Sequence, residues 1–271
     1  MQTDPQAPTT VDAVERAVSV IDALKKLGGA GVTELAEDLE MSKSGVYKQL
    51  ATLVKTGYVT KQENEYQLSY RFLLMGEYVK TTSQLHQIGA AEVNKLAKKS
   101  DYFAYLTAMG EDFAYCIHTA DGDDAVVPSL SVGKQLSLHS SAAGKSILAE
   151  LPEKKQSQVL DRPLAAKTSE TVTDQEKLAT GLEQIREEGV AFEDEENVPG
   201  MRGVGAPILD EDDAVVGSIA VSGPLSLLTD EHFRDELPSL IRQTKNFIEV
   251  KISLESREPL EEGSHIPKDL Y

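Results

Sequence analysis

The apolar positions between residues 11 and 68 recur first at helical spacing and then at every second residue. Val11 to Leu27 reads as a first helix that stops at Gly28-Gly29, a pair suited to a left-handed C-terminal cap. In Thr33–Glu40, Leu35, Ala36 and Leu39 stand at i, i+1 and i+4 and make one apolar face, with Thr33 placed to cap the helix start. A third helix opens at Ser42, another N-cap residue, and carries Val46, Leu50 and Leu53 as a stripe at i, i+4 and i+7. Only Glu40-Met41 separates the second and third helices, which forces a sharp corner of the helix-turn-helix kind. Beyond Gly57 the period falls to two: Tyr58 and Thr60, then Tyr66 and Leu68, across the polar tip Gln62–Glu65. That pattern predicts a β-hairpin wing.

Tyr70–Val79 is apolar with helical character, and Phe72, Leu73, Leu74, Tyr78 and Val79 exceed what one small domain can bury. A connecting helix over 70–83 that pairs with a second copy accounts for the excess. A helix from Gln84 to Lys99 then opens a larger domain. There, Tyr102–Ala108 and Phe113–Thr119 read as a hairpin, Val190–Phe192, Val204–Leu209 and Val215–Ser222 as further strands. Ser141–Glu150, Pro152–Leu160, Thr173–Glu188 and about Thr229–Glu255 read as helices. The expected class is α+β, with a largely antiparallel sheet flanked by helices. The domain limits are 11–69, 70–83 and 84–256, between a disordered tail at 1–10 and a polar tail at 257–271.

Chemistry falls on the outer face of the third helix. Ser42, Lys43, Ser44, Tyr47 and Lys48 avoid the core stripe and occupy its first two turns. The start of such a helix meets base edges in the major groove; lysine and serine hydrogen-bond bases or phosphates, and a tyrosine ring touches a thymine methyl. Gly45 leaves one spot bare for close backbone approach. The pattern predicts a module that reads double-stranded DNA.

Charge first argues against that reading and then accommodates it. The 271 residues carry 27 basic and 45 acidic side chains, a net −18. Residues 1–82 hold nine basic and eleven acidic, −2, leaving −16 for the remainder. The repulsive charge is therefore concentrated away from the DNA-reading end. Acidic runs at Asp121–Asp124, Glu193–Glu196 and Asp210–Asp213 suit a salt-rich cytoplasm, where ions screen self-repulsion. A single cysteine, Cys116, excludes a disulfide framework and multi-cysteine zinc sites. No apolar run approaches the roughly 18 residues of a membrane span, and the first residues carry no signal region. The expected compartment is the cytoplasm, with no membrane partner.

Several segments, in order, resemble the IclR-type transcriptional regulators over roughly residues 11 to 255. These are Glu15–Leu24, Leu35–Leu39 and Gly57–Val59, then Leu138–Ala149, Glu188–Glu196, Gly200–Arg202 and Ser222–Pro224. The resemblance implies a winged helix-turn-helix, a connecting helix and a GAF-like effector-binding domain, assembled as a homodimer or a dimer of dimers. It also implies a small-molecule effector: a carboxylate, a sugar-derived acid or an aromatic acid. Family ligand contacts map onto Ala142, Ala143, Glu193, Met201, Gly203, Ala220 and Ser222. Gly203 replaces a frequent cysteine, Glu193 an aspartate and Ala220 a serine, so a cavity larger than a two- or three-carbon acid requires is expected.

Two motifs in the same stretch carry no enzyme chemistry. Ala143-Gly-Lys-Ser146 ends like a P-loop, but His139 stands where its first glycine is needed. Ser140 and Ser141 lack a nucleophile-elbow or Ser-x-x-Lys context. The helix that starts at Ser140–Ala143 instead offers open N–H groups to an anion. The chain reads as a ligand-responsive DNA-binding regulator of a catabolic pathway, without catalytic residues, metal or cofactor. The rival readings are a constitutive architectural DNA-binding protein and, further off, a GAF-like enzyme.

Overall fold

A computed structural model describes residues 10–123, 125–126 and 130–257. The expected terminal tails, save Thr10 and Arg257, and Asp124 of one acidic run lie outside the described residues. The chain divides between Val79 and Lys80 into two compact units.

In the first unit, α1 (Asp12–Leu27), α2 (Val32–Asp38) and α3 (Lys43–Lys55) enclose a core of Val20, Leu24, Leu35, Val46, Leu50 and Leu53. Gly28 ends α1 in the left-handed region at φ 71°, its N–H bonded to the Leu24 carbonyl. α2 begins two residues earlier than the Thr33 cap implies. Gly31 is its N-cap and no side chain caps it, because Val32 already adopts helical geometry and draws Thr33 into the first turn. The corner places Glu40 in the left-handed region, φ 52°, and the Met41 N–H on the Ala36 carbonyl.

The wing consists of β1 (Val59–Gln62) and β2 (Glu65–Leu68), paired antiparallel around Glu63-Asn64. Its phase on the first strand differs from the expected one. Val59, not Thr60, is buried, opposite Leu68, while Tyr66 is buried opposite Lys61. Ala30 bridges to Tyr66 and so ties the wing to the chain just before α2. That extra pairing fixes which face of the hairpin turns inward.

α4 (Arg71–Thr82) continues across the division between the units. Phe72 does not belong to its exposed apolar surface: its ring meets Tyr58 edge-on at 5.5 Å, and Arg71 lies over the same tyrosine at 4.7 Å. Leu73, Leu74, Tyr78 and Val79 remain exposed.

The second unit contains a six-stranded, all-antiparallel sheet in the order β5-β4-β3-β8-β7-β6. Its strands are β3 (Phe103–Met109), β4 (Ala114–Ala120), β5 (Gln135–Leu136), β6 (Ala191–Asp194), β7 (Met201–Leu209) and β8 (Val215–Pro224). Alternation sorts its side chains by face. Ala104, Leu106, Val204, Ala206, Ile219 and Val221 pack with α5 (Gln84–Ser100) and α9 (Leu237–Arg257). Phe103, Tyr105 and Ala220 pack with α6 (Ala142–Glu150) and α8 (Gln175–Glu188) on the other. Between α6 and α8 lies α7 (Glu153–Leu160). The last helix begins later than expected, after a π turn at His232–Glu236. Pro238 lacks the amide hydrogen that an uninterrupted α-helix from Thr229 would need.

The side chains of α6 from Ala142 to Ala149 are all buried. Gly205 on β7 makes this possible, since a Cβ there would stand 2.9 to 3.0 Å from backbone atoms of Ala142 and Ala143. Helix and sheet meet backbone to backbone at the start of α6.

Candidate functional site

The residues expected to read DNA lie together at the start of α3. Ser42 caps α3 by accepting the Gly45 N–H at 3.1 Å, and its hydroxyl lies 3.3 Å from that of Ser44. Lys43, Ser44, Tyr47 and Lys48 are exposed, whereas Val46 and Leu50 beside them are fully buried. The five residues thus share one accessible helix start, with Ser42 partly committed to capping. Sequence reading missed their neighbours. Thr33 on α2, Tyr47 on α3 and Lys61 and Asn64 on the wing line a common groove of about 400 Å³. The amine of Lys61 sits 5.4 Å from the Tyr66 ring centre, so a basic head is held beside the recognition helix. The alternation expected through Tyr58 and Thr60 would turn Lys61 to the other face of the hairpin, whereas it pairs with Tyr66.

In the second unit a cavity of about 290 Å³ runs inward between loop and sheet. Exposed Lys134, Gln135 and Lys167 line its outer part, and buried Tyr105, Leu136, Glu193 and Ser222 its inner part. Of the residues expected to hold an effector, Glu193, Met201 and Ser222 line this space. Ala142, Ala143, Gly203 and Ala220 are buried behind it. Gly203 pairs with Glu193 across β6 and β7, and Ala220 lies between Tyr105 and Gly205 in the sheet. The bare Cα of Gly203 does not add volume as expected. A Cβ built there would lie 3.3 Å from Glu193 Oε2 and 3.5 Å from the Ala142 side chain, so the residue's neighbours already fill the room.

Glu193 also changes what the helix start can do. Its Oε1 accepts the Asn197 N–H at 3.1 Å, and its carboxylate faces the Ala142 N–H. The Ala143 N–H faces the Tyr105 hydroxyl, and the Gly144 N–H is taken by Ser141 Oγ at 3.0 Å. Of the donors expected to be open for an effector carboxylate, those of Ala142 and Ala143 thus lie beside Glu193 and Tyr105. An incoming anion there would meet the charge of Glu193. Burial pushes the Glu193 carboxyl up to about 7, against the opposing pull of the Asn197 N–H and Lys145. Burial, followed by the nearby Glu193 charge, raises the Tyr105 phenol, and burial pushes the Cys116 thiol up to about 12. Below the helix start, buried Lys145 is ion-paired with buried Glu196. Ser140 donates to the Asn197 side chain at 3.3 Å.

A winged helix-turn-helix with a bare recognition face, followed by a domain that carries an interior cavity, defines a one-component DNA-binding regulator. Residues 13–63 match the IclR helix-turn-helix domain, and residues 78–250 match the bacterial transcriptional regulator IclR C-terminal domain. The "Probable HTH-type transcriptional regulator ArcR" of Halobacterium salinarum is 30% identical over 259 residues, covering 92% of this chain and 98% of its own. Among solved structures, the IclR of Thermotoga maritima superposes with a TM-score of 0.74 at 28% identity, covering 89% of this chain and 98% of that one. An IclR homologue of Microbacterium hydrocarbonoxydans complexed with 4-hydroxybenzoate has the same fold, with a TM-score of 0.78 at 17% identity and coverage of 89% and 99%.

The chain belongs to the IclR family of transcriptional regulators. That family comprises DNA-binding regulators rather than enzymes, and its members bind DNA operators and small-molecule effectors. Among the described residues no helix is long and apolar enough to cross a membrane.

Proposed function

We propose that this regulator reads a double-stranded operator through Ser42, Lys43, Ser44, Tyr47 and Lys48 and controls a catabolic pathway in response to an acid. The effector is a small carboxylate, sugar-derived or aromatic, held in the cavity lined by Glu193, Met201 and Ser222, with Ala142, Ala143, Gly203 and Ala220 shaping its inner wall. The observation that carries this reading is the cavity itself. It passes from an exposed mouth to a buried carboxyl without being filled by the chain's own side chains. A constitutive architectural protein has no use for such a space. The aromatic acid bound by the Microbacterium homologue supports the ligand class.

The working unit is a homodimer or a dimer of dimers. Val11, Val14 and Val18, at i, i+3 and i+7 on and before α1, and Leu73 and Leu74 on α4, are exposed apolar surface that a second copy would cover. A two-fold pair presents two recognition helices to half-sites spaced by whole turns of DNA, roughly 34 Å each. The net charge of −18 and the Halobacterium relative favour a salt-rich cytoplasm.

The test is recovery of genomic fragments bound by the purified full-length protein, followed by fluorescence anisotropy on the strongest one. The expected result is specific binding that weakens when an acid from the neighbouring pathway is added, and that a Ser222→Leu variant, altered at a residue that lines the cavity, retains without responding to the acid. Binding that no candidate acid alters in the parent refutes the effector half of the reading.

A further inference from the structure

We propose that the outer face of α9 docks against the same face of a second copy. The two helices run parallel about a two-fold axis, and the basic border of each copy meets the acidic border of the other. This rests on the reading of the working unit as an assembly of identical chains and assigns the surface that joins one dimer to the next.

The centre of the face is apolar. Phe247, Val250 and Leu254 stand at i, i+3 and i+7 and so share one narrow stripe of the helix surface. They are 46%, 58% and 58% exposed, whereas Ile241, Ile248 and Ile252 on the opposite side are buried in the core.

The borders of the stripe carry opposite charge. Toward α5, the Lys95 and Lys251 ammonium groups lie 5.8 and 4.6 Å from the Phe247 ring centre. Both approach Glu92 Oε1, at 2.9 and 3.6 Å, so two cations share one buried carboxylate. Exposed Lys98 and Lys99 extend this border along α5. Residues 83–271 carry 18 basic against 34 acidic side chains, which makes the border a local exception in a domain whose copies otherwise repel. On the other side of the stripe, Asn246, Val250, Ser253 and Leu254 line a groove together with Asp210, Glu211 and Asp213 of the β7–β8 connection. Lys245 in that groove is paired with Glu249 at 2.9 Å and leaves the acidic turn uncompensated. Glu249 also accepts the Leu209 N–H at 2.8 Å, which sets the turn within about one helical turn of Lys251 along the axis.

This arrangement selects its partner. A two-fold axis along the helix direction exchanges the borders, so parallel copies set cation against acid twice and stripe against stripe. An antiparallel pair would set cation on cation and acid on acid. Nucleic acid would be repelled by Asp210–Asp213, and an acidic protein would leave that border unmatched.

The test is sedimentation velocity of the full-length protein over a concentration series at one ionic strength, with circular dichroism to verify folding. The parent is expected at four chains, and Val250→Glu/Leu254→Glu should halve that mass. Lys251→Glu alone and Glu211→Lys alone should each raise the dissociation constant of the parent assembly by about tenfold or more, since each sets like charges together twice. Both substitutions in one chain should return it to within about threefold of the parent. A parent mass that Val250→Glu/Leu254→Glu leaves unchanged overturns the α9 contact, as do charge-reversal losses that add instead of cancelling. If that mass still falls in Leu73→Glu/Leu74→Glu, the homo-oligomer stands without the α9 contact; a single-chain parent ends both. Self-association that appears only after removal of residues 258–271 gives the face to those residues and likewise overturns the proposal.

Discussion

Replacing Glu193 by glutamine isolates the cost of keeping a carboxyl at the inner end of the cavity. Burial raises this group from its ordinary 4.5 to about 7. A carboxyl that holds its proton more tightly in the folded than in the unfolded chain loses stability as that proton leaves. Its contribution is therefore complete below about pH 4.5 and is lost as the pH rises through about 7. The interval corresponds to about 3 kcal/mol at roughly 1.4 kcal/mol for each pH unit. Glutamine keeps the shape and an acceptor oxygen for the Asn197 and Ala142 N–H groups, yet has nothing to ionise. The difference in unfolding free energy between variant and parent should therefore be near zero at pH 4.5 and reach about 3 kcal/mol in favour of the variant at pH 8. Urea unfolding at a series of pH values reads this, monitored by pulse-labelled hydrogen exchange in β7 and β8 so that only the effector domain reports. Taking the difference cancels the many other titrating acids. Parallel pH profiles for the two proteins would refute the claim that burial governs this carboxyl.

Three further outcomes are expected. Lys48→Ala or Tyr47→Ala should weaken operator binding by about 1–3 kcal/mol where a base contact is lost, with thermal stability unchanged because both side chains are exposed; equal anisotropy isotherms for parent and both variants would place the DNA elsewhere. Leu73→Glu/Leu74→Glu should reduce the species seen in light scattering toward the 29.5 kDa chain, and an unchanged mass would exclude this part of α4 from the interface. Gly205→Ala places a Cβ within 3.0 Å of the α6 backbone and should cost about 1–3 kcal/mol as helix and sheet are forced apart; a denaturation midpoint equal to the parent's would show that α6 has room to move.

Much of this architecture was legible because local periodicity governs it. The stripe Val46, Leu50, Leu53 and the Ser42 cap specify α3 without outside help, and the acidic residue at 193 stood out through the family resemblance. What stayed hidden depends on contacts distant in sequence. Thr33 looks like a cap, yet the helix starts where Gly31 releases the chain. Val59 rather than Thr60 turns inward because Ala30, some thirty residues away, pairs with Tyr66. β5 spans only two residues, too few for any alternation to register. Lys134 and Lys167 lie in loops with no motif around them, and only the closed fold brings them to one mouth with Glu193. The approach of Glu193 and Tyr105 to the start of α6 was equally invisible, since a helix start looks open until the strands packed against it are known.

The sheet order carries one more consequence. β5 and β6 are the two outermost strands, with four strands between them, yet Gln135 and Leu136 from one and Glu193 from the other line the same cavity. The sheet must therefore curl until its two margins face each other, like a hand closed around a rod. Any molecule that fills the space acts as a clasp between those margins, and it joins segments more than fifty residues apart that make no ladder with one another. Protection against hydrogen exchange in β5 and β6 should then rise together on ligand binding, in equal proportion, while the four central strands change little. A rise confined to one margin would mean that the molecule touches a wall of the cavity without closing it.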